Sequence, residues 1–391
     1  TQTQNSDVGA WGNYDAGRIA TIKLYADAMR AINPDAYVIL EHFADWDEEE
    51  ELADYGALLW GGGTHNAYKE ASLGFNANLN LASHTTRGWD VPAVIAFMES
   101  HDEERLMYEN LNFGNSSDSY DVQDVITGFR RIELASTFFY TIPGPKMLWQ
   151  FGELGYDYSI NHCVDGSVDN NCRLDPKPIR WDYNESPNRK RIYDVVRSLI
   201  HLKTEYDVFN TTDFALDVGG YGKKIHLNSA DMKVAVLGNF DVVTTNISNP
   251  FQETGWWYEY FTGDSIQVTN TAEVQVLAPG EYRLYTNVKL DAPLGGYLTA
   301  LPALVPNAFQ MVIAPNPTQE NAMINYVLPT AGPVQLDVYT MSGQHLQRLV
   351  DGQQAAGAHT LTPEFNLSPG TYLLRLVADG KVEVAKLMVT K

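Results

Sequence analysis

Two hydrophobic rhythms divide the chain. In the first half, apolar residues alternate between helical spacing and short unbroken runs. Ile19, Ile22, Tyr25, Ala26 and Met29 recur at helical intervals and predict a helix from Ile19 to Ile32. It stops at Asn33-Pro34, because proline disfavours helical geometry in the residue before it. The next run, Ala36 to Glu41, is β-branched and aromatic, the pattern of a strand buried on both faces of a parallel sheet. The alternation then repeats, with an acidic helix start at Asp47 to Glu51, apolar runs at Ala57 to Trp60 and Val94 to Met98, and a helix over Val125 to Ile142. A run at Lys146 to Phe151 and a helix over Arg189 to Tyr206 close the region. Four apolar strands with intervening helices predict βα units on a parallel sheet, either doubly wound or part of a (β/α)8 barrel.

Beyond Asp207 the period becomes two. Lys233 to Phe240, Trp256 to Phe261 and Ala272 to Leu277 read as antiparallel strands, ending at Pro279-Gly280-Glu281-Tyr282. Leu290 to Pro306 is rich in Pro, Gly and Leu without periodicity, the composition of a linker. From Phe309 strands resume at Ala322 to Val327 and Val334 to Tyr339. Tyr372 to Val377 and Lys381 to Val389 flank Asp379-Gly380, a strong hairpin signal. The organisation expected is an α/β region over 1–208, a small antiparallel β-domain over 209–290, a linker over 291–308 and a β-sandwich over 309–391.

Composition narrows the function. The chain has 391 residues, more than one small module. Its 27 Lys and Arg stand against 49 Asp and Glu, so a net charge of −22 repels nucleic acid and anionic membrane surfaces. No apolar run approaches the ~20 residues of a membrane span, and Thr1 to Asn5 lack the basic and apolar regions of a secretory signal. The two cysteines, Cys163 and Cys172, share one polar loop. They are either two buried thiols or a clip that an oxidising compartment permits.

In parallel α/β folds reactive residues gather where strands end. Here those ends read Glu41-His42, Glu99-Ser100-His101-Asp102 and Gly152-Glu153. Carboxylates at several ends of one sheet suit a site with a general acid and a charge stabiliser, as in glycoside hydrolysis. Each alone also reads as an ion-paired loop acid, and His101 as a hydrogen-bonded structural histidine. Asp47 to Glu51 has the acidity to bind cations, but acids in a first helical turn are favoured by the helix dipole, and a solvated helix start is the better reading. Gly61-Gly62-Gly63 lacks the spacing of a phosphate loop or dinucleotide fingerprint, and neither His-Glu-x-x-His nor Gly-x-Ser-x-Gly occurs. The 22 tyrosines and 8 tryptophans read mostly as core, with sugar stacking as the alternative use.

At these residues the chain resembles glycoside hydrolase family 13, the α-amylase family. Ala36 to Asp45 is similar to the fifth-strand segment bearing the general acid, and Phe97-Met-Glu-Ser-His-Asp102 to the seventh-strand segment. Position 100 is Ser where the family commonly has Asn. Pro143 to Gly155 is similar to the eighth-strand segment, with Pro178 to Tyr183 following as the family has it. The resemblance runs to about residue 288, since the β-domain is similar to the family's C-terminal domain. It implies the second half of a (β/α)8 barrel acting on α-glucan polysaccharides or oligosaccharides by a retaining mechanism. Glu41 would be the general acid, Asp102 a catalytic carboxylate and His101 a substrate ligand. The family's nucleophile, an Asp two residues after an Arg on the fourth strand, has no counterpart; neither Asp7 nor Asp15 fits. The expectation is therefore a fragment of a larger enzyme, inactive alone. A transglycosylase of the same family and a non-catalytic glucan-binding protein are the alternatives. No cofactor is implied with certainty, though family members often bind calcium.

The tail resembles the C-terminal sorting domain of type IX secretion substrates. The similarity rests on Ala314-Pro315-Asn316-Pro317, Tyr339 to Gly343 and Ser368 to Tyr372. It implies the type IX secretion machinery as a partner and a secreted or cell-surface location.

Overall fold

The computed structural model describes residues 10–118, 120–298, 309–314, 318, 322–341, 343–363, 365 and 367–389. It forms two compact units, one ending at Leu298 and one starting at Thr299.

In the first unit, helix α1 (Ala16–Ile32) starts where the Asp15 carboxylate accepts from the N–H groups of Gly17 and Arg18, an N-cap that satisfies otherwise orphaned donors. There follow β1 (Val38–Leu40), α2 (Trp46–Asp54), β2 (Ala57–Trp60), α3 (Thr64–Leu73), β3 (Val94–Phe97), α4 (Leu106–Phe113), α5 (Val125–Thr141), β4 (Lys146–Met147) and α6 (Pro187–Glu205). The four strands are parallel, with Leu40 opposite Leu59, Trp60 opposite Ile95 and Phe97 opposite Met147. Their order in space is their order in the chain. A doubly wound sheet reverses at a switch point; this sheet does not.

Three elements differ from expectation. β1 lies at the sheet edge, so Val38 is buried while Tyr37 and Ile39 are 83% and 54% exposed, and the strand is not covered on both faces. β4 stops at Met147, short of the expected run to Phe151, which itself takes left-handed backbone (φ 61°) and precedes a 3-10 turn over Gly152–Leu154. α3 gave no apolar signal because its buried face includes Thr64, His65 and Ser72 beside Tyr68, Ala71 and Leu73.

The antiparallel region forms a six-stranded sheet in the spatial order 265–268, 255–259, 282–286, 233–239, 222–228, 214–217. It shares one core with the helices: Leu134 and Phe138 of α5 and Val195 and Leu199 of α6 belong with Ile225, Val234, Val236 and Leu284. Buried Arg131 donates to the carbonyls of Ser72 (2.8 Å) and Phe240 (2.7 Å). The Tyr282 hydroxyl donates to Glu133 (2.8 Å). Residue 208 thus separates two secondary-structure regimes within one packed body. Of the expected linker, 291–298 is held on this unit, with Arg197 Nε donating to Leu294 O (3.1 Å) and Leu298 N–H to Phe261 O (2.7 Å). Residues 299–308 lie outside the described residues, as do Asp7 and the Pro315-Asn316-Pro317 motif.

The second unit is a sandwich of a three-stranded and a four-stranded antiparallel sheet. Ile324, Tyr326 and Leu328 of one sheet pack with Leu336, Val338, Leu374, Leu376 and Leu387 of the other. At the hairpin, Ala378 pairs with Lys381, and Asp379 and Gly380 both take positive φ (45° and 70°), as a two-residue turn matched to strand twist requires. With its own core, this unit should be removable. All eight tryptophans lie before residue 258, so their fluorescence reports the first unit alone. Deleting 309–391 is expected to leave their thermal transition unchanged; a lost transition would show that the first unit cannot fold without the tail.

Candidate active site

Glu41 directly follows β1, and His101 and Asp102 follow β3 by four and five residues, so parallel pairing delivers all three to one end of the sheet. His101 Nε2 lies 3.9 Å from Glu41 Oε1 and 3.7 Å from Asp102 Oδ2. One ligand atom from each of the three falls within 4.8 Å of the others, and all three side chains are about half-exposed. Aromatic rings wall the cluster. Trp60, at the end of β2, meets His101 edge-on at 5.5 Å and Phe97 at 5.3 Å, and Trp149 lies 6.2 Å from His101. Half-exposed carboxylates beside ring faces can bind a polar, flat-sided ligand such as a sugar.

Behind Glu41 the chain is anchored in a buried ion network. His42 Nε2 is 2.7 Å from Glu48 Oε1, which Arg18 Nε reaches at 2.6 Å, while Arg18 Nη2 and the Asp15 N–H reach Oε2 at 2.7 and 2.8 Å. Burial raises the Glu48 carboxyl, but hydrogen bonds from Arg18, the Asp15 N–H and His42 outweigh it and hold it below the ordinary value. Glu49 accepts from the Ala44 N–H (3.1 Å) and Arg87 (3.3 Å). The acidic run is therefore not a solvated helix start: Asp47 is exposed, but Glu48 and Glu49 are buried structural ligands of the segment after Glu41.

The His101–Asp102 loop is held from below. Arg105 Nη1 donates to the carbonyls of Ser100 and Glu103, both at 2.7 Å, and Ser100 Oγ accepts the Asp102 N–H at 3.1 Å and donates to Glu103. Glu99 does not join the opening. It is buried, and its Oε1 accepts the Leu106 N–H at 2.8 Å. Together with Glu153, Ser136, Tyr140 and Trp149 it lines a small cavity. Burial raises Glu99 to about 7, and burial likewise raises Glu49 to about 7 against the pull of Arg87. Folded chains therefore keep protons that unfolded chains lose above about 4.5, and stability falls as pH rises through that window to about 7. Glu99→Gln should flatten this slope in part, leaving the share of Glu49; a melting-temperature slope identical to that of the parent would contradict the assignment.

Cys163 and Cys172 form a disulfide. The next residue, Arg173, donates from Nη2 to the Asp102 carbonyl (2.6 Å) and to its Oδ1 (2.8 Å). That hydrogen bond, above all, holds the Asp102 carboxyl below its ordinary value. Among the described residues, two groups of three come close enough to share a metal ion: Cys163, Cys172 and Asp175, and Glu41, His101 and Asp102. The cysteine pair is covalently closed and Asp102 is engaged by Arg173, so neither is assigned a cation. Sequence reading missed Arg173, Trp60, Trp149 and the Arg18–Glu48 pair. The strand-end positions of Trp60 and Trp149 were the available signal for those two, and the neighbouring cysteine for Arg173.

Comparison with solved structures finds a similar architecture in α-amylases and a cyclomaltodextrinase. The α-amylase of Geobacillus thermoleovorans, complexed with acarbose, is 16% identical over 68% of this chain and 57% of its own, with a TM-score of 0.53. An Anoxybacillus α-amylase is 15% identical over 71% and 57%, TM-score 0.51, and a cyclomaltodextrinase 14% over 70% and 44%, TM-score 0.53. The first unit has an amylase-like fold. The chain spans little more than half the length of these amylases. No curated protein matches it in sequence. Residues 312–390 match the family described as "Secretion system C-terminal sorting domain". The protein is thus secreted or displayed at the cell surface. No described helix is long and apolar enough to cross a membrane.

Proposed function

We propose that residues 1–208 are the second half of a (β/α)8 barrel from a retaining glycosidase that cleaves α-glucans. The observation that carries this is the convergence of Glu41, His101 and Asp102 at one end of a parallel sheet, beside Trp60 and Trp149. The amylase-like fold supports it. So does the first strand's flank, where Tyr37 and Ile39 are exposed along with Tyr25, Met29 and Ile32 of α1, apolar surface of the kind a further βα unit covers.

In this reading Glu41 protonates the leaving glycosidic oxygen and afterwards takes a proton from water. His101 and Asp102 bind hydroxyls of the distorted sugar, through bonds that strengthen as the oxocarbenium character grows. Retention also needs a carboxylate nucleophile about 5 to 5.5 Å from the acid. Asp15 does not serve, since it caps α1 and is buried, and the nucleophile is assigned to a segment outside these residues. Hydrolysis and transglycosylation share the Glu41 step and differ in which acceptor reaches the intermediate. The exposed site, with no nucleophile assigned within it, favours sugar binding without turnover by this chain alone. We assign it no calcium site.

Acarbose, bound by the Geobacillus relative, is the probe. Titrated into the 391-residue chain, it is expected to shift the Trp60 and Trp149 indole resonances, and His101→Ala should weaken binding about 3- to 10-fold, the worth of one hydrogen bond. Saturable binding that leaves those resonances unmoved would place the sugar elsewhere.

A further inference from the structure

Residues 157–177 leave the end of the sheet and return beside the candidate site as a loop with little regular structure. It is pinned at several points. Glu104, on the segment carrying His101 and Asp102, accepts from Ser159 Oγ (2.6 Å) and the Ile160 N–H (2.7 Å). Lys177 Nζ donates to the carbonyls of His162 (3.0 Å) and Cys172 (2.7 Å). The Cys163–Cys172 disulfide closes the middle. Arg173, one residue on, reaches across to Asp102.

We propose that Arg173 is a positioning residue for Asp102, and that the Cys163–Cys172 disulfide makes this positioning depend on oxidation. Its functional meaning rests on the reading of Asp102 as a sugar-binding carboxylate. Both Arg173 and Asp102 are about half-exposed. A solvent-exposed pair of flexible side chains contributes little on its own, because holding both in one geometry costs side-chain entropy. What keeps this pair formed is the backbone. Closing the loop with a covalent bond removes conformations in which Arg173 swings away from Asp102.

The other groups facing Asp102 do not substitute for Arg173. His101 Nε2 lies 3.7 Å from Oδ2 and also faces Glu41 at 3.9 Å. Glu103 adds like charge, its own carboxyl being raised by burial first and then by Asp102. Arg173 therefore supplies the one hydrogen-bonded cation described at this carboxylate. It occupies Oδ1 and the main-chain oxygen and leaves Oδ2 toward His101.

The sorting domain supplies the context. A protein exported from the cytosol passes to compartments where disulfides persist, whereas cytosolic thiols are kept reduced. Closure follows ordinary exchange. A disulfide-bearing oxidant accepts the electron pair and leaves as its dithiol, the two cysteines give up their thiol protons, and one Sγ–Sγ bond forms. A dithiol reductant reverses each change. The arm carrying Arg173 is thus completed on export.

The test follows the Asp102 carboxyl carbon by NMR against pH in the 391-residue chain, its signal assigned by loss in Asp102→Asn. Arg173→Gln is expected to shift the Asp102 titration upward, and Arg173→Lys to retain part of the depression. Reduction with dithiothreitol, and the Cys163→Ser/Cys172→Ser double variant, are expected to shift it in the same direction as Arg173→Gln. No shift in Arg173→Gln overturns the positioning role. A shift in Arg173→Gln with none on reduction overturns the dependence on oxidation, as does a lowered melting temperature on reduction with Asp102 unmoved. No sugar enters this experiment, so its failure and that of the glycosidase reading are separable.

Discussion

Replacing Glu48 with alanine is expected to destabilise the first unit by about 3–5 kcal/mol, the cost of removing one partner from a buried ion pair and leaving the other charge uncompensated. Arg18 and Glu48 are 2% and 0% exposed, and their two contacts are 2.6 and 2.7 Å. The carbonyls of Trp11 (2.6 Å) and Asn13 (2.9 Å) would remain to Arg18 without a counter-charge. Glu48→Gln keeps shape and some hydrogen bonding and should fall between. The sign with pH follows from the depressed acidity of Glu48: its contribution is present above the ordinary carboxylate value and is lost as pH falls through its lower folded value. The gap between the parent and Glu48→Ala should therefore narrow in acid. Denaturant unfolding followed by tryptophan fluorescence checks both, and a loss under about 1 kcal/mol at neutral pH would show that the network does not anchor the segment beyond Glu41.

The second large effect concerns turnover. Within a protein that supplies the complementing strands and the nucleophile, Glu41→Gln should lower kcat on starch by about 10² to 10⁴, the usual worth of a positioned general acid. KM should change little, because an amide fills the same space beside the sugar. Activated substrates with good leaving groups, which need no proton, should recover the first step. Equal losses on starch and on such substrates would mean that Glu41 does not protonate the leaving group.

What was legible in the sequence was local. The apolar run at Ala57 to Trp60 became β2 with the same bounds, the run from Val125 became α5 within one residue, and Asp379-Gly380 turned where expected. The strand-end rule then brought Glu41, His101 and Asp102 together. It failed at Glu99, which follows β3 by two residues, nearer than His101, but turns inward and accepts the N–H of Leu106 at the start of α4. What lay beyond reading was long-range. Glu48 finds its cation 30 residues away, and Arg173 finds Asp102 at a separation of 71. An acidic run on a helix start looks solvated until such a partner is known. α3 stayed hidden because Thr64 bonds Gly61 and Phe97 carbonyls and His65 bonds Met98, so polar residues do the burying.

A reducing-sugar assay on the 391-residue chain alone, beside the same chain extended by the complementing strands, tests the half-barrel glycosidase most directly. General acid catalysis contributes about 10² to 10⁴, whereas enzymes deliver about 10⁶-fold or more. In the proposed reading, where Glu41 is the acid and the nucleophile lies on another segment, this chain should bind acarbose yet release almost no reducing ends, and extension should restore turnover. Turnover by the 391 residues equal to that of the extended chain, and abolished by Glu41→Gln, would contradict the account, placing the nucleophile within these residues, with Asp102, within 4.8 Å of Glu41, the first carboxylate to examine.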